Sequence, residues 1–374
     1  MLSEEWTSSG HQVEVATLDP PGFADALAFP VPVHTLGPSH TKWAYSSAFY
    51  PWLKAHHHEY DFIIIHGLWQ YQSLAAWCAL HGGSTPYVAF THGMLDPYFR
   101  KHYPFKHLQK SLVWPWSDYR MLRDAKAVMF TCDEERDLAR NTFAPYAARE
   151  VVIGYGTKKS PVPLPAAKQA FLGRFPLLQD KRLLTFVGRL HPKKGCDILI
   201  EAFAASLAED PTWHLVIAGP NLDDWEKELR QIASRLKIQD RITWTGMLQN
   251  ELKWGAIAVS ELLILPSHQE NFGVVVAEAL ACGVPVVVSN QVNIWREIDA
   301  GQAGIVTPDT VEGIQDGLTR WVHLSPEQRQ VMRDRTVDCF ERNFDIHVVS
   351  SRLMRTLEAL TEVTRQPQSA VLQS

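Results

Sequence analysis

Two glutamates, Glu270 and Glu278, lie near the two ends of "HQENFGVVVAEALACG", a stretch that is otherwise almost entirely apolar. The run "LLILPSHQE" predicts a buried strand that ends near Pro266, and "NFGVVVAEALACG" predicts a helix that ends at Gly283. Glu270 therefore precedes the helix, with Asn271 as its predicted cap, and Glu278 lies about 1.5 turns inside it. An unpaired carboxylate in apolar surroundings costs several kcal/mol, so Glu278 needs a partner.

Two kinds of partner satisfy the Glu278 carboxylate. A ribose diol would donate two hydrogen bonds to it, and a structural ion pair with an arginine would neutralise it. The backbone amides from about Asn271 to Val274, at the start of the helix, favour an anion. Sugar hydroxyls at Glu270, phosphate at the amides and ribose at Glu278 together outline a nucleoside-diphosphate sugar.

A second anion-binding pattern occurs in "FVGRLHPKKG", which places Arg189 and Lys194 on either side of a strand-to-helix loop. The loop ends at Gly195, and a helix begins directly after it, so two cations, the helix dipole and unpaired amides converge. The loop lacks the spacing of a Walker A motif, so it indicates phosphate without indicating an NTPase. The alternative for Lys193 and Lys194 is ordinary solvated charge.

His66 in "FIIIHGLW" and His92 in "VAFTHGM" each follow an apolar strand and precede a glycine. Glycine allows a ligand or another backbone segment to come close. The functional interpretation is a ligand contact, for which His92 is the better candidate because "HGMLDPY" adds an acidic residue and a turn. The alternative is a half-buried histidine that hydrogen-bonds to the main chain.

Short β-rich runs alternate with helical runs along both halves of the chain, as in "DFIIIH", "PYVAFTH", "LLTFVG" and "WHLVIAG". This alternation predicts two doubly wound α/β domains with parallel strands. We predict an amino-terminal Rossmann-like domain over residues 1–160, a Pro-rich linker over 161–180, a second Rossmann-like domain over 181–345, an amphipathic helix over 346–365 and a disordered tail over 366–374.

Composition excludes several classes of protein. The 374 residues include 36 basic and 41 acidic side chains, and the net charge of -5 argues against binding to nucleic acid. No apolar run reaches the roughly 18 residues of a membrane span, and the amino terminus has no secretory pattern. The five cysteines have no metal-site spacing, so we expect reduced core residues in a cytoplasmic protein.

The Glu270-x7-Glu278 pattern, together with "FVGRLHPKKGCDILIEAF", resembles the retaining GT-B glycosyltransferases of family 4. The resemblance extends over about residues 180–345, and "HGLWQY", "THGMLDPYF" and "TCDEERDLA" resemble a bacterial subgroup associated with surface polysaccharides. It implies two Rossmann-like domains facing a cleft, with the helix over 346–365 docked on the first. It also implies an enzyme that moves a sugar from a nucleotide donor to a saccharide or lipid-linked acceptor.

The resemblance assigns roles to individual residues. Arg189 and Lys194 would neutralise the departing diphosphate, Glu278 would hold the ribose, and His92 would approach the donor sugar. Further roles are implied for residues of two loops. The sugar would be oriented by Glu270 and by the amides of Asn271, Phe272 and Gly273. The base would be lined by the segment from Thr245 to Leu248, through Gly246, Met247 and Leu248.

The resemblance also implies how the reaction proceeds and what the protein requires. No nucleophile for a double displacement is evident, so a front-face attack assisted by the leaving phosphate is implied. The chain has no D-x-D motif, so neither a metal nor another cofactor is expected beyond the nucleotide-sugar substrate.

Family members begin with a strand and a glycine-rich loop before the helix that ends in "SSGHQVEVAT". We therefore expect a first domain that lacks its first strand. Two alternatives to an active transferase follow: a truncated relic that binds nucleotide sugars without turnover, and a nucleotide-sugar epimerase on the same fold.

The segment "YFRKHYPFKHLQKSLVWPW" mixes Arg100, Lys101, Lys106 and Lys110 with aromatic residues. One interpretation is peripheral contact with the inner face of a membrane. The other is a solvated helix or an acceptor-site loop.

Overall fold

The computed structural model describes residues 1–23, 29–221 and 224–365, and the chain divides into two compact units. Unit 1 comprises Met1–Tyr155 and the segment that begins at Ile346, and unit 2 comprises Gly156–Asp345. The predicted tail over 366–374 lies outside the described residues. Both units are α/β domains with parallel strands, as the sequence predicts.

Unit 1 has two separate parallel sheets among its described strands, one of two strands and one of four in the order β3-β4-β5-β6. Its strands are β1 (Val15–Thr17), β2 (Val33–Thr35), β3 (Ile63–His66), β4 (Tyr87–Phe90), β5 (Ala127–Phe130) and β6 (Glu150–Val152). Its helices up to β6 are α1 (Leu2–Ser8), α2 (Phe49–His56), α3 (Tyr71–Leu80), α4 (Tyr98–His102), α5 (Pro104–Val113), α6 (Asp118–Asp124) and α7 (Asp133–Ala139).

The four-stranded sheet of unit 1 is covered on both faces, which explains why β4 is fully buried. Alternate residues of a strand point to opposite faces. Accordingly, Tyr87 and Ala89 belong to one hydrophobic cluster, whereas Val88 and Phe90 belong to another. An apolar run without alternation is typical of a parallel strand between two helical layers.

The carboxy-terminal helix, α16 (Ile346–Arg365), belongs to unit 1. Val349, Leu353 and Leu357 recur at four-residue intervals and are buried. They join the same hydrophobic cluster as Val88 of β4. The periodicity that identifies this helix in the sequence is therefore the stripe that it buries.

Unit 2 has one six-stranded sheet in the order β12-β11-β10-β7-β8-β9, and every pairing in it is parallel. The strands are β7 (Arg182–Val187), β8 (Trp213–Ala218), β9 (Ile242–Gly246), β10 (Leu262–Leu265), β11 (Val286–Ser289) and β12 (Gly304–Thr307). The helices are α8 (Leu164–Arg174), α9 (Cys196–Ser206), α10 (Trp225–Arg235), α11 (Asn250–Ala258), α12 (Val274–Ala281), α13 (Trp295–Gly301), α14 (Val311–His323) and α15 (Pro326–Asn343).

The direction of chain progression reverses between two adjacent strands of this sheet, β7 and β10. From β7 the chain continues to β8 and β9 on one side, and from β10 it continues to β11 and β12 on the other. Loops that leave such a pair of strands diverge and open a crevice at their carboxyl ends. The loops after β7 and β10 are the two that carry the predicted phosphate and sugar residues.

The predicted linker over 161–180 differs from the observed structure, because it contains α8 and lies within unit 2. Ala167 and Phe171, four residues apart, are fully buried on one side of α8. A Cβ on Gly255 of α11 would lie 2.2 Å from the Ala167 carbonyl oxygen, so the two helices approach closely. Pro165 lies in the first turn of α8, where proline is tolerated, so this proline does not break the helix.

All five cysteines lie in the described residues and are free thiols. Cys132, Cys196 and Cys339 are buried and Cys282 is partly buried. Cys78 is exposed, so the prediction that all five are core residues is wrong at that position.

Candidate functional site

The predicted phosphate and sugar residues of unit 2 lie beyond the carboxyl ends of its strands. Arg189 follows β7 by two residues, Gly246 is the last residue of β9, and Glu270 follows β10. Because β7 and β10 are the strands between which the order reverses, their loops flank the crevice that such sheets use for ligands. The sequence therefore placed these residues at the correct edge of the sheet.

The loops after β7 and β10 are held together through their backbones. Gly195, with φ 66°, has the left-handed conformation that favours glycine. A Cβ at this position would lie 2.2 Å from the carbonyl oxygen of Pro266, which leaves no space for a side chain. In addition, the His268 amide donates to the Lys193 carbonyl at 2.8 Å. These backbone contacts therefore fix the position of one loop relative to the other.

Lys194 Nζ donates to Glu270 Oε2, and the two side chains are 20% and 19% exposed. The backbone of Glu270 is fixed as well: its amide donates to Gln291 O and its carbonyl accepts from Asn293 N, both at 3.0 Å. Two residues for which the sequence predicts different ligand groups therefore pair directly. Lys194 is a basic residue, as phosphate binding requires, and Glu270 is an acidic residue that can accept hydrogen bonds from sugar hydroxyls. Both side chains are partly exposed and therefore accessible to a ligand.

Arg189 is exposed, and the structure records no ion pair for it with another described side chain. It lies one residue beyond Gly188, which directly follows β7. A guanidinium is always charged at neutral pH and presents several donors in a planar fork, which suits phosphate oxygens. Arg189 is consequently available to an anion at this edge.

The start of α12 differs in detail from the prediction. The N-cap residue is Gly273, with φ 70°, and not Asn271. The side chain of Asn271 instead accepts a hydrogen bond from Asn293 Nδ2 at 3.3 Å. Phe272 is buried and contacts Phe344 edge to face, with 5.5 Å between the ring centroids. The Val276 amide of the first turn donates to the Gly273 carbonyl at 2.8 Å. The first amides of a helix have no acceptor within it, so anion binding at Val274 and Val275 stays a prediction.

Glu278 lies inside α12 and is only 7% exposed. Its Oε1 accepts a hydrogen bond from Lys253 Nζ at 2.6 Å, and Lys253 lies on α11. The sequence predicts a ribose or an arginine as the partner; the partner within the chain is a lysine. Lys253 is absent from the predicted site, because nothing in the local pattern of α11 indicates which helix it faces.

The predicted base-lining segment follows β9. Gly246 has φ 68° and is exposed, Met247 is 61% exposed, and Leu248 packs against a hydrophobic cluster that includes Phe171. Leu248 therefore anchors the loop, whereas Gly246 and Met247 present main chain and a flexible thioether. These two features suit backbone and apolar contacts with a planar ring.

Glycines follow or end three adjacent strands of the unit 2 sheet. Gly188 follows β7, Gly219 follows β8 and Gly246 ends β9. The Gly219 amide donates to the Gly246 carbonyl at 2.9 Å, and a Cβ on Gly219 would lie 1.7 Å from the Gly188 carbonyl oxygen. Gly219 therefore has no room for a side chain, whereas a Cβ on Gly246 would meet open space.

His92 belongs to unit 1 and not to the unit that carries the other predicted residues. Its Nε2 lies 2.9 Å from Nδ1 of His66, and the two rings are stacked with 5.2 Å between their centroids. His92 has φ 48°, which is unusual for a residue other than glycine. The two strand-end histidines are therefore paired with each other and not simply bonded to the main chain.

Glu135 of α7 is a residue whose role the sequence did not reveal. It is 3% exposed and accepts four hydrogen bonds. The donors are the Thr91 hydroxyl at 2.6 Å, the Gly93 amide at 2.6 Å, the Thr131 amide at 2.8 Å and the Thr131 hydroxyl at 2.6 Å. Glu135 thereby holds the residues on both sides of His92, Thr91 through its hydroxyl and Gly93 through its amide. Four charge-assisted bonds also compensate its burial.

Desolvation by the surrounding protein lowers the pKa of both His66 and His92. Desolvation is the main cause for His66, whose pKa falls to about 4, with a smaller contribution from His92. Desolvation also lowers the pKa of His92, although the charge of Glu135 acts in the opposite direction. A lowered pKa favours the neutral form of each imidazole at pH 7, and a neutral imidazole carries a single N–H.

Two further findings concern ligands and membranes. Within the described part of the chain, no three His, Cys, Asp or Glu side chains come together in a way that suits a metal ion. Over the same ranges, none of the helices combines the length and apolar composition that crossing a bilayer requires.

Two family descriptions match consecutive parts of the chain. "Glycosyl transferase 4-like domain" matches residues 1–156, and "Glycosyl transferases group 1" matches residues 169–336. Two doubly wound α/β units with parallel sheets are the architecture of the GT-B class of transferases. The chain belongs to the family 4 glycosyltransferases of this class.

Solved structures show the same fold at low sequence identity. Sucrose-phosphate synthase from Thermosynechococcus elongatus has a TM-score of 0.74 at 17% identity, over 97% of this chain and 92% of that one. HepE from Anabaena, in complex with UDP and glucose, has a TM-score of 0.74 at 19% identity, over 96% and 94%.

Curated relatives are similar over part of their length. D-inositol 3-phosphate glycosyltransferase of Saccharomonospora viridis is 29% identical over 67% of this chain and 58% of its own. The GDP-mannose:cellobiosyl-diphosphopolyprenol alpha-mannosyltransferase of Xanthomonas campestris is 27% identical over 69% and 63%. The chain thus matches less than two thirds of the length of either relative.

Proposed function

We propose that this protein is a retaining glycosyltransferase that moves a sugar from a nucleoside-diphosphate sugar to a saccharide or lipid-linked acceptor. The observation that carries the proposal is the arrangement at the point where the unit 2 sheet order reverses. Arg189 and Lys194 come from one side of this point, and Glu270 and the first-turn amides of α12 come from the other. A diphosphate needs the cations and amides, and a sugar needs the carboxylate.

The chemistry follows from how charge develops during transfer. As the bond between the anomeric carbon and the diphosphate lengthens, negative charge grows on the leaving group and positive charge grows on the ring. Fixed cations and amides stabilise the departing diphosphate without reorganisation. In this proposal Arg189 and Lys194 supply that positive charge, so transfer requires no metal ion or other cofactor. Glu270, released from Lys194 by the diphosphate, accepts hydrogen bonds from sugar hydroxyls.

The remaining predicted residues have separate roles in this proposal. Glu278 accepts hydrogen bonds from the ribose hydroxyls, while Lys253 remains paired with its carboxylate in an apolar setting. Gly246, Met247 and Leu248 line the base. His92 contacts the transferred sugar, and the attacking hydroxyl approaches the same face that the diphosphate leaves, which retains the anomeric configuration.

The relatives support an acceptor that is a saccharide or is attached to a lipid. One relative is named for transfer to a cellobiosyl-diphosphopolyprenol. One structural neighbour, WaaG, is described as a glycosyltransferase of lipopolysaccharide biosynthesis, with a TM-score of 0.63 over 96% of this chain and 94% of that one. We therefore propose a role in the biosynthesis of a surface polysaccharide or lipopolysaccharide.

A peripheral site at the inner face of the membrane suits such an acceptor, and the exposed face of α5 supports it. None of the residues of α5 is buried. Phe105, Leu108 and Leu112 follow a helical spacing and are 83%, 59% and 70% exposed, and Trp116 beyond the helix is 66% exposed. An apolar stripe of this kind is typical of a helix that lies in a membrane interface.

Cations beside this stripe favour anionic lipid. Arg100, Lys101 and Lys106 are exposed next to it, and each basic group near an anionic surface contributes about 1 kcal/mol. Lys110, which the prediction groups with these three cations, is less exposed than they are. Its Nζ lies 4.3 Å from the centroid of the Trp69 ring and is partly withdrawn from solvent. Burial lowers its pKa accordingly.

Sedimentation with liposomes tests the membrane contact. We expect binding to vesicles rich in phosphatidylglycerol, weak binding to pure phosphatidylcholine, and loss of binding when Phe105, Leu108 and Leu112 are replaced together by serine. Leu177→Ser, at a site that is 87% exposed in unit 2, is the control. Equal sedimentation of the triple variant and the control would dismiss the membrane contact.

Donor binding and turnover test the transferase itself. Thermal unfolding is followed in the presence of UDP-glucose, GDP-mannose and related donors, because ligand binding stabilises the folded state by mass action. Release of nucleoside diphosphate and transfer to polyprenol-linked saccharides are then measured with the donor that stabilises most. We expect Glu278→Ala to abolish the thermal shift and Glu251→Ala, an exposed glutamate of α11, to preserve it.

The outcomes separate the alternatives. Binding and transfer together support the transferase. Binding without transfer to any acceptor would identify a nucleotide-sugar-binding relic, and conversion of the sugar without transfer would identify an epimerase. Absence of both binding and turnover with every donor would overturn the proposal.

A further inference from the structure

His66 and His92 end or follow two adjacent strands, β3 and β4, that run parallel. The register pairs His66 with Phe90, and the Gly67 amide donates to the Phe90 carbonyl at 2.9 Å. Phe90 stacks on both imidazoles, with centroid distances of 5.3 Å to His66 and 5.5 Å to His92. Three rings therefore pack in nearly parallel planes at one edge of the sheet.

The contact between the two histidines constrains their protons. Nδ1 of His66 and Nε2 of His92 are 2.9 Å apart, a normal hydrogen-bond distance between nitrogens. Such a contact holds one hydrogen, so one ring donates and the other accepts. When both rings are neutral, the ring that donates at this contact determines the tautomer of His92. If Nδ1 of His66 donates, Nδ1 of His92 carries a hydrogen; if Nε2 of His92 donates, it does not.

The backbone of His92 is fixed independently of this contact. Glu135 accepts from the Thr91 hydroxyl and the Gly93 amide, the two residues that flank His92. With the backbone held, rotation of the imidazole is the remaining freedom of the residue, and the bond to His66 opposes that rotation. His66 therefore acts on the orientation and the tautomer of His92 and not on its backbone.

We propose that His66 is a positioning residue for the transfer reaction, which holds His92 in one ring orientation and one tautomer so that Nδ1 of His92 is presented to the sugar. This inference rests on the proposed function, in which His92 contacts the transferred sugar. A ring that is already oriented loses less entropy when the substrate binds, and misalignment by about 1 Å costs up to about 100-fold in rate.

Two variants separate the hydrogen bond from the packing. His66→Phe keeps an aromatic ring for the stack but cannot hydrogen-bond to His92. His66→Asn removes the ring but keeps a hydrogen-bonding group near the position of Nδ1. His57→Phe is the matched control, because the Nδ1 of His57 contacts the Thr85 hydroxyl at 3.0 Å in the same unit, away from His92. Circular dichroism and thermal unfolding establish that each variant is folded.

Tautomer and rate are measured separately. Nitrogen-15 NMR of histidine-labelled protein, assigned with His92→Gln, should show a single neutral tautomer for His92 in the wild-type protein and in His66→Asn, and averaged tautomers in His66→Phe. With the best donor, His66→Phe should lower kcat by about 10- to 100-fold. KM should change by less than about threefold, and His66→Asn should recover most of kcat. His57→Phe should match the wild type.

Three results would each overturn the proposal. The first is averaged tautomers of His92 in the wild-type protein, and the second is an unchanged rate together with unchanged NMR spectra in His66→Phe. The third is an equal loss of kcat in His66→Phe and His66→Asn. If no donor is turned over by the wild-type protein, the proposed function fails, and the NMR measurement alone decides whether His66 holds His92.

Discussion

Lys194 and Glu270, which follow the adjacent strands β7 and β10, form an ion pair across the point where the sheet order reverses. Each residue has a separate task in the proposed function, phosphate for the lysine and sugar hydroxyls for the carboxylate. Binding of a donor must therefore exchange one pair within the protein for two contacts with the ligand. After the exchange each group still has a partner, phosphate for Lys194 and sugar hydroxyls for Glu270.

Replacement of Lys194 should weaken diphosphate binding more than replacement of its neighbour. We expect Lys194→Ala to weaken UDP binding by tenfold or more, which corresponds to the roughly 1.5–3 kcal/mol of a charge-assisted hydrogen bond. Lys193→Ala should have little effect, because Lys193 Nζ donates to Gln269 Oε1 at 2.8 Å and not to Glu270. Isothermal titration calorimetry provides the affinities. Equal losses in the two variants would show that only net charge matters.

Glu270→Gln should separate phosphate binding from sugar positioning. UDP carries no sugar and competes with Glu270 for Lys194, so the variant should bind UDP at least as tightly as the wild type. Transfer from the intact donor should fall by about 100-fold, because the glutamine cannot accept hydrogen bonds with a full charge. Affinity for UDP and steady-state rates are the two measurements, and a joint loss of both would contradict separate roles.

Lys253 and Glu278 should differ in their effects on stability and binding. Lys253→Met leaves the buried carboxylate of Glu278 unpaired, so we expect the free energy of unfolding to fall by about 2–3 kcal/mol. Glu278→Gln should be less destabilising and should weaken UDP binding about tenfold through the ribose. The double variant should be more stable than Lys253→Met alone. Denaturant titrations measure stability, and unchanged UDP affinity in Glu278→Gln would refute the ribose assignment.

Gly195 should tolerate alanine less well than Gly283, although both have a left-handed backbone. Gly283 has φ 74° and open space where the methyl group of an alanine would lie, so Gly283→Ala should cost only about 1–2 kcal/mol. Gly195→Ala would also force its Cβ against the Pro266 carbonyl, so we expect a loss of about 3 kcal/mol or more. Because Gly195 sets the position of Lys194, UDP affinity should fall only in Gly195→Ala, as calorimetry would reveal.

Transfer should be insensitive to chelators. In the proposed function Arg189 and Lys194 supply the positive charge that a divalent ion supplies in other transferases. The rate with the best donor should change by less than about twofold in EDTA, whereas Arg189→Ala should lower kcat by about 100-fold. Loss of activity in EDTA and recovery with Mg²⁺ or Mn²⁺ would show that a metal is required.

Local patterns in the sequence were enough for the strands that form the site. The run "LLILPS" predicts the strand observed as β10, and "PVVVSN" predicts β11, because continuous apolar residues are typical of parallel strands buried on both faces. Since ligand residues in such sheets follow the strands, the positions of Arg189 and Glu270 at the edge of the sheet followed directly. The observed α8 was missed because only two of its positions, Ala167 and Phe171, are buried and prolines surround its start.

Contacts between distant elements were beyond the reach of these patterns. The pairing of Lys253 with Glu278 depends on which faces of α11 and α12 meet, and the periodicity of either helix leaves that open. His66 and His92 were both identified as candidates, but their contact depends on the register of β3 against β4. Glu135 showed no signal, since an acidic residue in the first turn of a helix is ordinarily explained by the helix dipole.

The glycines at the ends of β7, β8 and β9 have a consequence for how donor preference changes during evolution. Gly219 has no space for even a methyl group beside Gly188, so position 219 is closed to every other residue type, whereas a Cβ on Gly246 would meet open space. In the proposed function, the main chain at Gly219 is the same in every variant and contacts what all nucleotide donors share. In that proposal, we expect donor preference to diverge at neighbouring positions with free side chains, such as Met247, which is 61% exposed in the predicted base-lining segment.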